Sequence, residues 1–328
     1  MASLKKLRNL KPEINTGFGT NSNSTGGRFI NKDGNPNVIK KGVGILERYS
    51  WYHTLLGMKL WHFGLLLFTI YIGINLVFAG IYYLIGIDHL AGVHTGSSLK
   101  NFTEVLFFSA QTFTTVGYGR ISPVGFGASA VSTFEAFLGL LSFAIATGLF
   151  YGRFSRPQAF IKYSHNALIA PYRDRTAFMF RLSPYKNNTL SEVEVKVTLA
   201  ITTEENGRLS DKFFDLDLEY AKINGLALSW TIVHPIDDKS PFYGLSHEDI
   251  LNTDMEIMVF VKAFDSVFSN NVISRTSYIS SEIIWGAKFR MMYHPNQDKS
   301  KTILTVDKLN DFEKVSLPET EIIVPVNS

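Results

Sequence analysis

Two long apolar runs interrupt an otherwise mixed sequence. Leu60 to Gly86 carries no formal charge, and only His62, near its start, can acquire one. At about 1.5 Å of rise per residue this run crosses a hydrocarbon core of about 30 Å. The second run extends from about Val124 to Gly152 and holds one formally charged residue, Glu135. The segment between them is too short for a third crossing. Within it Phe102, Leu106, Phe107, Ala110 and Phe113 recur at helical spacing, so Asn101 to Thr114 reads as a half-helix that enters the membrane and turns back. Its C-terminal end carries a partial negative charge that favours a cation.

The pattern changes beyond Pro157. Val193, Val195, Val197, Leu199 and Ile201 alternate with Glu192, Glu194, Lys196 and Thr198, which is the period of a half-buried strand. Met255, Ile257, Val259 and Val261 repeat it, and Asn206-Gly207 and Asn224-Gly225 read as hairpin turns. Strands at short spacing predict an all-β sandwich. Ahead of the first span, Leu46 to Gly57 mixes apolar, aromatic and charged residues, as a short helix at a lipid interface does. The expected division is a flexible segment over 1–45, an interfacial helix over 46–58, a membrane domain over 59–156, a β-sandwich over 157–300 and a tail over 301–328.

Between half-helix and second span lies Thr-Thr-Val-Gly-Tyr-Gly, residues 114–119. Non-helical backbone at membrane depth is tolerated only within protein or along a cavity. Gly117 and Gly119 supply backbone angles that a Cβ disfavours. Four copies of Thr115, Val116, Gly117 and Tyr118 would stack rings of carbonyls, with the Thr115 hydroxyl at the inner end, while Val116 and Tyr118 pack behind the loop. Such rings replace the water that a potassium ion sheds. The loop is recognised by its match to the known potassium filter. Thousandfold discrimination against sodium corresponds to about 4 kcal/mol.

Composition narrows the field. The 328 residues allow a small membrane domain and one soluble domain, and a mean hydropathy of +0.07 suits that mixture. A net charge of +3 gives no case for nucleic acid, and the absence of cysteine removes disulfides, thiolate metal sites and cysteine nucleophiles. The eight histidines lack paired ligand spacing, and no Ser-His-Asp, Gly-x-Ser-x-Gly, Walker or Gly-x-Gly-x-x-Gly pattern appears, so neither enzyme nor cofactor is expected. The N-terminus lacks an apolar signal-peptide core. Lys40, Lys41, Arg48 and Lys59 precede the first span and Arg153, Arg156 and Lys162 follow the second, against Lys100 and Arg120 between them. The positive-inside rule therefore places both termini in the cytoplasm.

Three further stretches carry a family resemblance: Leu228 to Ser246 (Leu-Ser-Trp-Thr-Ile-Val-His-Pro-Ile-Asp-Asp-Lys-Ser-Pro-Phe-Tyr-Gly-Leu-Ser), Glu282 to Gly286 (Glu-Ile-Ile-Trp-Gly) and Arg153 to Pro157 (Arg-Phe-Ser-Arg-Pro). With the filter they make the chain resemble the inward-rectifier potassium channels, in particular the prokaryotic branch, over about residues 40 to 295. The resemblance implies a homotetramer in a bacterial inner membrane, an immunoglobulin-like cytoplasmic sandwich, and a vestibule that extends the pore. It places Tyr151 at the constriction where inner helices cross, although an aromatic interface anchor is the alternative. Glu135, Gly139, Phe143, Thr147 and Tyr151 recur every fourth residue, and that ridge is expected to line the pore. Gly139 is either a hinge or a packing glycine, and Glu135 either supports the filter from behind or attracts cations into the cavity.

Phe143 replaces the acid that strongly rectifying relatives carry, which implies weak block by magnesium or polyamines. Gln111 replaces a glutamate that pairs with a basic residue beyond the filter, leaving a hydrogen bond from Arg120 to the amide. Arg153, Arg156 and Lys59 are candidates for anionic phospholipid headgroups, or for topology alone. His234 is expected to be structural. Glu192, Glu194, Glu204, Glu205, Asp237 and Asp238 either line a vestibule or are solvated edges. Two other classes remain open on sequence: a subunit of an energy-coupled potassium uptake system, which usually has several pore repeats per chain, and a membrane-anchored β-sandwich binding module.

Overall fold

The computed structural model describes residues 28–42, 44, 50–94, 96–205 and 208–318. The chain divides into two compact units, Lys41–Arg156 and a second one made of Met1–Lys40 with Pro157–Ser328.

The first unit is helical. Helix α1 spans Trp51–Gly57, and Ser50 caps it by accepting the His53 amide. Residues 45–49, which the expected interfacial helix included, lie outside the described residues. Helix α2 spans Leu60–Ile85 and stops at Gly86, whose φ of 111° no side chain tolerates well. Helix α3, Ser98–Phe113, is the predicted half-helix, and α4 runs over Phe126–Phe154. Among the described residues, α2 and α4 are the two helices long and apolar enough to cross a membrane. Their outward faces carry exposed Leu65, Phe68, Phe134 and Ile145. A short ribbon of β1 (Leu90–Ala91) and β2 (Ser122–Pro123) joins the loop before α3 to the loop after the glycine-rich segment.

The second unit is a β-sandwich. Its strands are β3 Ile161–Tyr163, β4 Ala167–Tyr172, β5 Arg175–Pro184, β6 Leu190–Glu205, β7 Arg208–Asp215, β8 Lys222–Leu226, β9 Trp230–Pro235, β10 Met255–Asp265, β11 Asn270–Ile279 and β12 Ile283–Trp285. Helix α5, His247–Asn252, opens on a reciprocal cap between Ser246 and Asp249. One sheet orders β11-β10-β6-β7, with β8 also on β6; the other orders β12-β4-β5-β3, with β9 on β5. Val193, Val195, Val197, Leu199 and Ile201 meet Ala167, Ile169, Phe178 and Phe180 of the facing sheet in one core. Burial of those alternating positions is what the period-two pattern demands.

Three expectations need correction or limits. Asn224-Gly225 is no turn: both residues lie inside β8, where Gly225 pairs with Ser191. The adjacent Glu192 adopts φ of 49°, and the pairing of β6 with β10 slips by one residue beside it, a bulge that bends β6. Asn206-Gly207 lies outside the described residues, although β6 and β7 pair as far as Glu205 with Arg208. Residues 301–314 do not form a tail. β13 (Ala287–Phe289) pairs with β16 (Phe312–Lys314), and β14 (Tyr293–Pro295) with β15 (Thr302–Leu304). Backbone amides and carbonyls there are satisfied by returning chain.

Part of the expected flexible N-terminal segment is also fixed. Phe29 and Ile30 pack with Ala200, Phe213 and Met258 on the outer face of the first sheet. Their amides donate to the Glu256 carboxylate at 2.5 and 3.0 Å. Lys32 donates to Glu282 at 3.1 Å, to the Ser277 carbonyl at 3.1 Å and to the His165 carbonyl at 2.9 Å, and Arg28 also pairs with Glu282. Burial pushes the Glu282 carboxyl up, but Arg28 and Lys32 override it and hold the group below its ordinary range.

Candidate functional site

The glycine-rich loop begins where α3 ends. Thr114 caps the helix through its amide to the Ala110 carbonyl, the Thr115 amide reaches the Thr112 carbonyl at 3.0 Å, and the Val116 amide reaches the Gln111 carbonyl at 2.9 Å. The first loop residues are thus pinned to a helix C-terminus whose last carbonyls lack helical partners. Beyond it, φ is 57° at Thr115, 58° at Gly117 and 80° at Gly119, while Val116 and Tyr118 keep ordinary negative values. In an ordinary strand successive carbonyls alternate sides. Alternating the sign of φ turns every second peptide over, so the carbonyls can share one side. Glycine adopts the positive angle freely, whereas Thr115 does so at a cost of about 1–3 kcal/mol. Val116 is 52 % and Tyr118 79 % exposed, so the chain's own atoms do not cover the back of the loop.

Behind the loop sits a buried polar knot. Glu135 of α4, fully buried, accepts from the Tyr82 hydroxyl at 2.6 Å and from the Ser109 hydroxyl at 2.5 Å. Ser109 also lies 3.1 Å from Asn75 Oδ1, and the Asn75 amide donates to the Tyr71 carbonyl at 2.7 Å. One carboxylate therefore joins α2, α3 and α4. In an apolar medium an unpaired acid is very costly, so these hydroxyls let Glu135 reside there. Glu135 thus points into the packing of its own chain. Sequence reading missed Asn75, Ser109 and Tyr82. Asn75, a polar residue deep in an apolar span, was the available signal.

The expected hydrogen bond from Arg120 to Gln111 is absent; Arg120 pairs instead with Glu104 of α3. Glu104 is the only acid on that helix, and it satisfies the guanidinium better than an amide can. Gln111 acts through its backbone carbonyl, as described above.

The comparisons with known proteins now bear on these features. The model of the inward rectifier potassium channel C-terminal domain matches residues 161–324, and an ion channel model matches residues 70–156. Over 267 residues the chain is 34 % identical to the inward rectifier potassium channel Kirbac3.1 of Paramagnetospirillum magnetotacticum, covering 80 % of this chain and 88 % of that one. The chain belongs to the inward-rectifier potassium channel family. It is also 27 % identical over 286 residues to the G protein-activated inward rectifier potassium channel 4 of Bos taurus, covering 80 % of this chain and 67 % of that one. The family consists of ion channels, not enzymes, and potassium is the permeant ion.

Within this channel, the ridge of every fourth residue on α4 divides. Sixteen residues at about 100° each rotate Tyr151 about 160° away from Glu135. Glu135 and Gly139 are buried, whereas Phe143 is 73 % and Tyr151 74 % exposed, and Thr147 is exposed too. Within one chain, Glu135 and Gly139 are thus covered by neighbouring helices, and the last three positions of the ridge are open. A partly open cavity of about 450 Å³ does bring Thr114, Thr115, Gly139 and Phe143 together, with Tyr71 and Ile74 of α2 also lining it. At Gly139 the two helices nearly touch: a Cβ would overlap the Phe113 carbonyl oxygen.

Arg153 has partners within its own chain. Its guanidinium donates to the carbonyls of Leu55, Leu56 and Met58. Arg156 is exposed and Lys59 is the cap residue ahead of α2. In the β unit, Asp237 binds the amides of Lys239 and Ser240 in a turn, and Glu192 lies 3.6 Å from Lys222. Glu194 and Asp238 are exposed, while the side chains of Glu204 and Glu205 lie outside the described residues. His234 is buried, with Nδ1 2.6 Å from the Asp217 carbonyl and Nε2 2.8 Å from the Ser240 hydroxyl. A carbonyl can only accept, so Nδ1 carries the proton and Nε2 accepts from Ser240. Burial lowers the His234 pKa. That ring braces the Leu228–Ser246 stretch, whose Phe242 stacks on Phe178 at 5.5 Å.

Proposed function

We propose that potassium is selected at the carbonyls of Thr115, Val116, Gly117 and Tyr118 contributed by four identical chains. The carrying observation is the alternation of φ along a loop anchored to the C-terminus of α3. The helix end directs partial negative charge to the inner mouth of the loop. Ser109, Tyr82 and Glu135 hold α3 in place from behind, and Gly119 and Gln111 support the loop through backbone. The uncovered Val116 and Tyr118 side chains are what neighbouring copies would bury.

Below the filter, Phe143, Thr147 and Tyr151 face the conduction path, and four Tyr151 side chains close it by steric contact and dewetting. Phe143 offers no negative charge to a magnesium ion or polyamine, so block from inside is weak. Both termini are cytoplasmic, on the distribution of basic residues, in a bacterial inner membrane. Exposed Arg156 and Lys59, with the partly exposed Arg153, are the candidates for anionic phospholipid headgroups. One pore loop per chain and the family assignment leave the uptake-transporter and binding-module readings without support.

The test is potassium flux from liposomes carrying the reconstituted full chain. Wild type gives barium-blocked, potassium-selective flux without ATP, and Gly117→Val abolishes it at equal tetramer incorporation. Retained selective flux in Gly117→Val removes the filter from this loop.

A further inference from the structure

A dense set of specific contacts lies where the last turn of α4 meets α1. Arg153 sits in that turn. Its Nη1 donates to the Leu55 carbonyl at 3.2 Å and to the Leu56 carbonyl at 3.5 Å, and its Nη2 donates to the Met58 carbonyl. Helix α1 ends at Gly57, so these include carbonyls that a helix cannot bond by itself. The guanidinium is the C-terminal cap of α1, on the end where the helix dipole favours a cation. The same group lies 5.6 Å over the ring of Phe63, which is 1 % exposed and packs edge-on against Phe150 of α4 at 5.1 Å.

One residue earlier, Gly152 permits the close approach. A Cβ there would stand 3.1 Å from the Tyr52 hydroxyl and 3.6 Å from Leu56 Cδ2. A seven-residue helix has about two turns and is marginal alone. Its persistence depends on what holds it, and here that is α4.

We propose that Arg153 is a positioning residue for gating: it fastens α1 to the gate-bearing end of α4, so that the two helices move as one body. The proposal rests on Tyr151, two residues away, as the point of closure. A planar fork reaching three carbonyls explains arginine over lysine, whose ammonium is a compact point charge. The competing role is a headgroup contact, which requires only positive charge.

The native chain has no cysteine, so Trp51→Cys and Ser155→Cys, at two exposed positions, give a clean spin-label pair. Labelled full-length chains are co-assembled with excess unlabelled ones in liposomes, and the distance distribution is read by pulsed electron resonance. Potassium flux is measured in parallel, in vesicles with and without phosphatidylglycerol. Arg153→Lys and Arg153→Gln should both broaden the distribution. Both should also shift basal flux about tenfold in one direction, the scale set by losing one charge-assisted hydrogen bond. Gly152→Leu, which pries the helices apart and leaves the charge intact, should do the same, and it covers the case in which an Arg153 variant fails to assemble.

A narrow distribution in the Arg153 variants overturns the clamp. So does an effect confined to Arg153→Gln and to phosphatidylglycerol vesicles, which would mark a headgroup contact. Broadening with unchanged flux overturns the transmission to the gate if Tyr151→Ala raises flux in the same vesicles. If Tyr151→Ala also leaves flux unchanged, the gate reading has failed instead.

Discussion

Replacing Gly139 with alanine separates two meanings of this glycine. The added methyl would overlap the carbonyl oxygen of Phe113 and stand 3.2 Å from its Cα. The obstacle is backbone, so no rotamer change relieves it. Alanine is about 1 kcal/mol better than glycine inside a helix, so α4 itself gains from the change. The cost is overpacking, about 1–3 kcal/mol at a buried contact. Phe113 ends α3, two residues before Thr115, and the Val116 amide hangs on the Gln111 carbonyl of the same turn. A shift of this end is therefore a shift of the filter. Against about 4 kcal/mol for thousandfold selectivity, a 1–3 kcal/mol distortion erodes the potassium-to-sodium ratio by about 5- to 150-fold. The assay is parallel potassium and sodium flux from liposomes, normalised to incorporated tetramer. An unaltered ratio refutes the packing argument. An unaltered ratio with a changed open fraction would assign Gly139 as a hinge.

Glu135→Leu strands the Tyr82 and Ser109 hydroxyls at about 1–3 kcal/mol each, so tetramer stability should fall by about 2–6 kcal/mol. Glu135→Gln keeps one acceptor and should lose less; equal thermal denaturation of both variants and wild type in detergent would contradict the knot. Tyr151→Ala should raise basal potassium flux, and unchanged or lower flux at equal incorporation counts against closure there. The β unit should lose stability on acidification through His234. Its folded pKa lies below the unfolded value of about 6.5, so the unfolded chain binds more protons and stability declines as pH falls below about 6.5. His234→Gln should flatten that slope in pH-resolved thermal melts of the full chain, and an identical slope would exclude the histidine as its source.

Much of this was legible because the signals are local. Apolar length fixes a span, a period of two fixes a strand face, and a filter loop is carried in consecutive residues. Val193 to Ile201 fell on the buried face as their alternation required. The failures share a cause. Asn224-Gly225 forms a turn only if no partner strand competes, and β6 supplies one. The sequence pointed Arg120 at the Gln111 amide, and the fold of α3 brought Glu104 to it instead. Residues 301–314 carry weak strand signals and are ordered by pairing with chain just before them, β15 with β14 and β16 with β13.

By itself the sequence determined two spans, a half-helix, a glycine-rich loop after it and a β-sandwich, since each is encoded over a few neighbouring residues. Only the tertiary structure decided that Glu256 is buried, because the amides of Phe29 and Ile30, more than 220 positions away, cover and satisfy it. The same holds for Glu135 pointing inward and Arg153 capping α1. A charged side chain is placed by whichever group can repay its lost water, and that group need not be near in sequence.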